Sequence, residues 1–270
     1  MSNILITGAA SGLGKAIATL YAKKGWNVII VDIQDELGKK LVARLTLEGK
    51  NAEYHHCDVG AKENFEALFK IIAGKHEALD ILVNNAGVAS AGTLESTTVE
   101  EWNRLIALDL ISVIYGTQVF LPLLKKSDKA HIISTASYAG LANMPGMMSY
   151  NVVKAGVVAF SETLHGEMAL YNIGVSVACP AFFPTNLVDS MANASDKTKG
   201  FIDKQMQTSG VSADDVALGI FNGINKNKFI IMTHKKSRTQ YLIKRLFPDF
   251  FMKQKIKVFL KMMKGIKKQD

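Results

Sequence analysis

Cysteine is nearly absent from this chain. Only Cys57 and Cys179 occur in 270 residues, too few for a disulfide framework, so a cytoplasmic chain with reduced thiols is expected. Nothing before residue 3 resembles the basic and apolar regions of a signal peptide. Cysteine and histidine cluster only at His55-His56-Cys57, and consecutive strand side chains point to opposite faces, so no metal site is expected. There is no internal repeat, and no linker within residues 1–234. At 48% apolar and 21% charged residues, the composition excludes a disordered or collagen-like chain and suits one large α/β domain.

Acidic residues are scarce at one end. Residues 235–270 hold 12 of the 32 Lys and Arg but only 2 of the 24 Asp and Glu, whereas residues 1–234 are mildly acidic. Any charged partner therefore concerns the tail alone.

Strand-length apolar runs alternate with amphipathic helical stretches. Strands are predicted at Asn3–Thr7, Asn27–Val31, Ala52–Cys57, Leu79–Val83, His131–Ser134, Val175–Cys179 and Lys228–Met232. Helices are predicted near Leu13–Lys24, Gln34–Glu48 and Ala61–Gly74. Continuous apolar strands imply a parallel sheet covered on both faces. Strict β–α alternation then gives an α/β fold, a doubly wound seven-stranded Rossmann-like sheet in a single domain. Leu105–Leu124 is apolar enough to raise a membrane span, but Asp109, Gln118 and Pro122 favour a helix buried between the sheet and a partner subunit.

The first strand runs into Thr7-Gly8-Ala9-Ala10-Ser11-Gly12-Leu13-Gly14. Glycines there permit a sharp turn and close approach to a pyrophosphate at a helix N-terminus. Asp32 ends the next strand, 20 residues after Gly12, the separation of a carboxylate that binds an adenosine ribose. Its charge would repel a 2′-phosphate, and Ser11, Ile33 and Gln34 offer no compensating base, which favours NAD over NADP. The competing reading is that Asp32 merely caps the following helix. Lys15 is read as a solvated helix residue that can also approach phosphate.

Taken together, these landmarks resemble the classical short-chain dehydrogenase/reductase family over about residues 3–235. Thr7–Gly14 looks like its cofactor turn, and Cys57-Asp58-Val59 resembles its acidic strand end beside adenine. Asn84-Asn85-Ala86-Gly87 matches its NNAG motif. Ser137, followed by Tyr150-Asn151-Val152-Val153-Lys154, matches its Ser and YxxxK, and Pro180–Thr185 resembles the segment that closes over nicotinamide. The resemblance implies cofactor contacts from Gly8, Ser11, Gly12, Leu13, Gly14, Asp32, Asp58, Val59, Asn85, Ala86, Gly87, Tyr150, Lys154, Pro180 and Thr185. It also implies homodimers or homotetramers. Two positions depart from the pattern: Ala181 follows Pro180 where the family has glycine, and Asp109 stands where it has a helical Asn.

Hydride transfer at an alcohol carbon requires a proton to leave or join the oxygen. A tyrosine, with an ordinary pKa of about 10, needs a neighbouring cation to serve as base. Tyr150 and Lys154, at i and i+4, share one helix face, so Lys154 is expected to lower the phenol's pKa. Ser137 would polarise the substrate oxygen, and Asp109 would replace the usual relay residue. Ala139–Ser149 and Phe182–Gly210 project at the carboxyl ends of the strands. From them Met144, Met147, Phe182 and Phe183 suggest a pocket for an apolar alcohol, ketone or aldehyde; ordinary lid packing is the competing reading. The expected function is NAD-dependent hydride transfer between nicotinamide and the alcohol or carbonyl group of an apolar substrate. The alternatives are an NADP-dependent carbonyl reductase, or a cofactor-binding scaffold weakened by Asp109.

In the tail, Met252, Ile256, Phe259, Met263 and Ile266 recur at helical spacing. Lys253, Lys257, Lys261, Lys264 and Lys268 gather beside them, and Lys255 and Lys267 intrude on the apolar side. Such a helix can lie peripherally on an anionic membrane, or pack its apolar side on the protein; both readings stand. Nucleic acid is not expected, because stacking aromatics and a groove-reading motif are missing.

Overall fold

The computed structural model describes residues 1–191 and 194–267, the side chains of 262–267 excepted. Seven parallel strands form one sheet: β1 (Asn3–Thr7), β2 (Asn27–Asp32), β3 (Ala52–His56), β4 (Ile81–Asn84), β5 (His131–Thr135), β6 (Gly174–Ala178) and β7 (Ile230–Ile231). Their spatial order is β3-β2-β1-β4-β5-β6-β7. The order reverses between β1 and β4, and an open α/β sheet binds its ligand at the carboxyl edge of such a switch point. Register places Ile6 beside Ile30 on one side and Val83 on the other.

The helices in chain order are α1 (Gly12–Lys23), α2 (Asp35–Leu47), α3 (Lys62–Lys75), α4 (Val99–Leu105) and α5 (Ser112–Leu124). These are followed by α6 (Tyr138–Ala142), α7 (Met148–Met168), α8 (Asp196–Gln207), α9 (Ala213–Ile224), α10 (Lys235–Leu246) and α11 (Pro248–Lys267). Alternation along the strands explains why both faces are covered. Ile4, Ile6, Val28 and Ile30 pack under α1 and α9, while Leu5, Ile29, Val31 and Leu82 pack under α3 and α5. Each such side chain, fully removed from water, contributes about 1.5–3 kcal/mol before entropy is set against it.

Two expectations are corrected here, and one helix is added. Leu105–Leu124 is not one continuous α-helix: a π-helical turn, Ile106–Ile111, separates α4 from α5. Val99–Leu124 does have the length and mean hydropathy, 1.7, of a membrane span. Its Asp109, however, is fully buried within the fold. β7 shrinks to two residues, because it pairs only with β6 at the sheet edge. The tail adds a helix not foreseen, α10, ahead of the one expected from Met252, and the two are broken where Pro248 opens α11, since proline fits a first helical turn but not an interior.

Candidate functional site

The glycine turn is shaped by backbone constraint. Gly8 and Gly12 have φ of +64° and +51°, a region unfavourable to other residues. A Cβ on Gly14 would stand 2.1 Å from the Gly8 carbonyl oxygen, so α1 approaches the turn more closely than any side chain permits. Ser11, the N-cap of α1, makes no capping bond through its side chain, and the first turn carries no acidic residue. The positive end of α1 is therefore presented, uncapped and with no carboxylate in its own first turn, to the cleft lined by Gly8, Ser11, Gly12 and Leu13. Lys15 is exposed and lies outside that lining.

Asp32 closes the turn on its far side. Its Oδ2 accepts the Ala10 N–H at 2.9 Å, and its Oδ1 accepts the Gln34 N–H at 3.0 Å. The helix-cap reading is set aside: α2 starts at Asp35, its N-cap is Gln34, and that cap has no side-chain bond. Asp58 is exposed at the same cleft, with Oδ1 accepting the Gly60 N–H at 2.9 Å; Val59 beside it is buried. A cradle with uncapped N–H groups at one end and an oriented carboxylate at the other fits a dinucleotide's phosphates and ribose.

Asn85, Ala86 and Gly87 line the cleft, but the Asn85 side chain is committed to the protein. Its Nδ2 donates to the carbonyls of Thr7 and Gly8, and its Oδ1 accepts from Thr135. Thr7 Oγ1 accepts the N–H groups of both Asn85 and Ala86, at 2.9 and 3.0 Å. Thr7 and Thr135 thus tie the ends of β1, β4 and β5 together. Sequence reasoning assigned neither of them a role, since a strand-end threonine carries no distinctive signal.

Ser137 lies just past β5 as the N-cap of α6, its Oγ accepting the Ala139 N–H at 3.1 Å. Tyr150 and Lys154 lie one turn apart on α7, and both are buried. The Lys154 Nζ stands 5.6 Å from the Tyr150 ring centroid and donates to the Thr135 carbonyl at 3.2 Å. Asp109 comes from the π turn. Its Oδ2 is 3.0 Å from the Lys154 Nζ, and its Oδ1 accepts the Val88 N–H at 2.8 Å. A π turn shifts the helical phase, which re-aims the side chains on it relative to a continuous α-helix.

The electrostatics bear out the expected pull of Lys154 on the phenol but not a net lowering. Burial pushes the Tyr150 phenol above its ordinary value; Lys154 pulls it down and Asp109 pushes it up again. The net direction is upward, because burial outweighs the pull of Lys154 and of the Ser137 hydrogen bond, and the Asp109 carboxylate adds to the rise. Burial also pulls the Lys154 ammonium down, but Asp109 and Tyr150 outweigh burial and hold it above its usual range. Burial raises the Asp109 carboxyl, against the pull of Lys154 and of the Val88 N–H. The chemistry available is proton exchange at the Tyr150 hydroxyl beside a donor hydroxyl from Ser137.

The cleft measures about 1450 Å³, more than the ~300–1,000 Å³ of a single small-molecule site, so cofactor and substrate fit side by side. Beyond Tyr150 its wall is apolar, with Met144, Met147, Phe182, Leu187 and Met191. Phe183 also borders the cleft but packs against the core under α1. Pro180 and Thr185 line it too, and Thr185 caps a short 3₁₀ turn by accepting the Leu187 N–H. Ala181, in place of glycine, is held by His234: its N–H donates to His234 Nδ1 at 3.3 Å, and His234 Nε2 pairs with the Phe182 carbonyl at 3.0 Å. That histidine was not foreseen, lying some fifty residues from its partners.

The tail also reaches the site. Val258 and Phe259 of α11 line the cleft. Tyr138 Oη donates to Gln240, and Lys244 to the Leu141 carbonyl. Lys255, expected as an intruder on an apolar face, is buried and donates to the carbonyls of Asn143 at 2.8 Å and Ala142 at 3.3 Å. Met252 and Ile256, expected to share an apolar stripe with Phe259, are 46% and 47% exposed while Phe259 turns inward. The side chains of Met263, Ile266, Lys264, Lys267 and Lys268 lie outside the described residues. Away from the cleft, His55 pairs with Glu53 and His56 with Asp35.

Comparison with known proteins agrees with this geometry. A cyclopentanol dehydrogenase from a Comamonas strain is 30% identical over 74% of this chain and 80% of its own length. The probable oxidoreductase EphD of Mycobacterium tuberculosis is 30% identical over 91% of this chain, which spans only 43% of that protein's length. A short-chain dehydrogenase/reductase from Burkholderia phymatum, solved with NAD, superposes with a TM-score of 0.84 at 29% identity, covering 92% and 94% of the two chains. A short-chain dehydrogenase from Sphingobium yanoikuyae, solved with NADPH, superposes with a TM-score of 0.76 at 25% identity over 92% and 96%. The short chain dehydrogenase family model matches residues 2–196, and with the glycine turn, Ser137, Tyr150 and Lys154 on one cleft, the chain belongs to the short-chain dehydrogenase/reductase family of oxidoreductases.

Proposed function

We propose that the protein uses NAD to interconvert an alcohol and a carbonyl on an apolar substrate. The observation that carries this reading is a single cleft lined by Gly8, Gly12 and Asp32, by Ser137 and Tyr150, and by the apolar side chains of Met144, Met147 and Met191. Bound nicotinamide supplies the hydride acceptor or donor. Tyr150 takes the alcohol proton or returns it to the carbonyl oxygen at its Oη. Lys154 offsets charge on the phenol, and Asp109 with the Thr135 carbonyl holds the ammonium in place. Ser137 donates a hydrogen bond to the substrate oxygen as charge develops there.

NAD is favoured over NADP by the buried Asp32, whose carboxylate accepts from a ribose hydroxyl and repels a phosphate in the same place. Ile106 and Val152, exposed apolar residues on the helical segments carrying Asp109 and Tyr150, suit contact between identical subunits. Following reduced nicotinamide by absorbance, with both cofactors over a panel of alcohols and ketones, tests the proposal. The expected outcome is turnover on apolar compounds with NAD preferred. Turnover confined to small polar alcohols, or a preference for NADP, contradicts it.

A further inference from the structure

The tail helices bury one face and leave another bare. On α11 the inward side chains are Phe251, Lys255 and Phe259, at i, i+4 and i+8, with Lys255 anchored to the α6 carbonyls. One residue further on, Met252, Ile256 and Leu260 repeat the same spacing as an outward strip, and Leu260 is 53% exposed. One residue beyond those, Lys253, Lys257 and Lys261 are all exposed. A 100° advance per residue puts this lysine row beside the apolar strip along the helix. Leu242, Leu246 and Phe247 add exposed apolar surface at the end of α10.

We propose that α10 and α11 dock the protein on an anionic lipid bilayer, with Met252, Ile256 and Leu260 entering its interfacial layer. The adjoining lysines meet the headgroups, their stems following the apolar strip. Charge selects this occupant. The tail carries 12 basic and 2 acidic residues. A second copy seated antiparallel on the strip would bring each lysine row against the other, and a parallel copy would still join two strongly basic tails; both are repulsive, whereas acidic lipid neutralises the charge. The helix is already fixed to the body through Lys255, so the outward strip is not required for its own packing. Val258 and Phe259 lie on this helix and line the catalytic cleft, so docking sets the cleft mouth at the lipid surface.

The test is co-sedimentation of the full chain with phosphatidylcholine vesicles, with and without phosphatidylglycerol. It reads no turnover, so it stands or falls separately from the cofactor and substrate reading. Binding to the mixed vesicles and little to the neutral ones is expected. The variant Lys253→Glu/Lys257→Glu/Lys261→Glu should weaken partitioning roughly a hundredfold or more. Met252→Ser/Ile256→Ser/Leu260→Ser should weaken it at least tenfold while leaving the melting temperature near that of the parent, since all three side chains are outward. Absence of binding, equal binding to neutral vesicles, or an unaffected serine variant overturns the proposal. So does a serine variant that converts a dimer to a monomer without altering vesicle binding, which would assign the strip to a second copy.

Discussion

The Nζ of Lys154 lies 3.0 Å from the Oδ2 of Asp109, and burial removes both groups from solvent. An ammonium that would otherwise act on the Tyr150 phenol alone is thereby divided between two neighbours. Little water is present to screen either interaction, so the carboxylate also acts on the phenol. Burial is the main cause of the raised phenol, and this pairing adds to it even with a cation one helical turn away.

Replacing Asp109 with Asn follows directly. The amide keeps an acceptor for the Val88 N–H but removes a negative charge that raises the Tyr150 phenol. Alcohol oxidation uses the phenolate, so the rise of kcat/KM with pH tracks the phenol's pKa. Asp109→Asn should move that rise to lower pH. A rise moved to higher pH, or left in place, would show that Asp109 does not act on Tyr150.

The proposed preference for NAD rests on the charge of Asp32. Asp32→Asn retains one acceptor for the glycine turn but loses the charge-assisted bond to a ribose hydroxyl. NAD should bind about tenfold or more weakly, since a hydrogen bond to a charged group is worth about 1.5–3 kcal/mol. Discrimination against NADP should narrow, which titration of both cofactors checks.

The sheet and the cofactor turn were legible in the sequence because their signals are local. Apolar runs such as Val28–Val31 and the Gly8–Gly14 spacing are set by neighbouring residues. Tyr150 and Lys154 were legible for the same reason, as a pair one turn apart on α7. The phenol's upward shift was not, because it depends first on burial by the surrounding fold and then on a carboxylate forty-five positions from Lys154, delivered by a π turn. His234 and Lys255 were hidden likewise. Their partners, Ala181 and Asn143, lie far away in the chain, and a lysine on an apolar face gives no sign that carbonyl groups await it.

Lys255 should matter for stability where its neighbour does not. Lys255→Met leaves the Ala142 and Asn143 carbonyls without their donor and should cost about 1–3 kcal/mol. In a domain of this size that lowers the melting temperature by roughly 2–4 °C per kcal/mol. Lys253→Met, at an exposed position, should stay within about 0.5 kcal/mol of the parent. Thermal denaturation of the two variants side by side distinguishes a buried anchor from a solvated lysine.

The most direct test is the turnover of Tyr150→Phe with NAD and an apolar alcohol, measured beside NAD binding to the same variant. Removing only the hydroxyl should leave cofactor affinity within a few-fold and lower kcat by roughly 10²–10⁴-fold, the usual contribution of a positioned acid or base. A variant that turns over at close to the parent rate would contradict proton transfer at Tyr150, and with it the mechanism built around that residue.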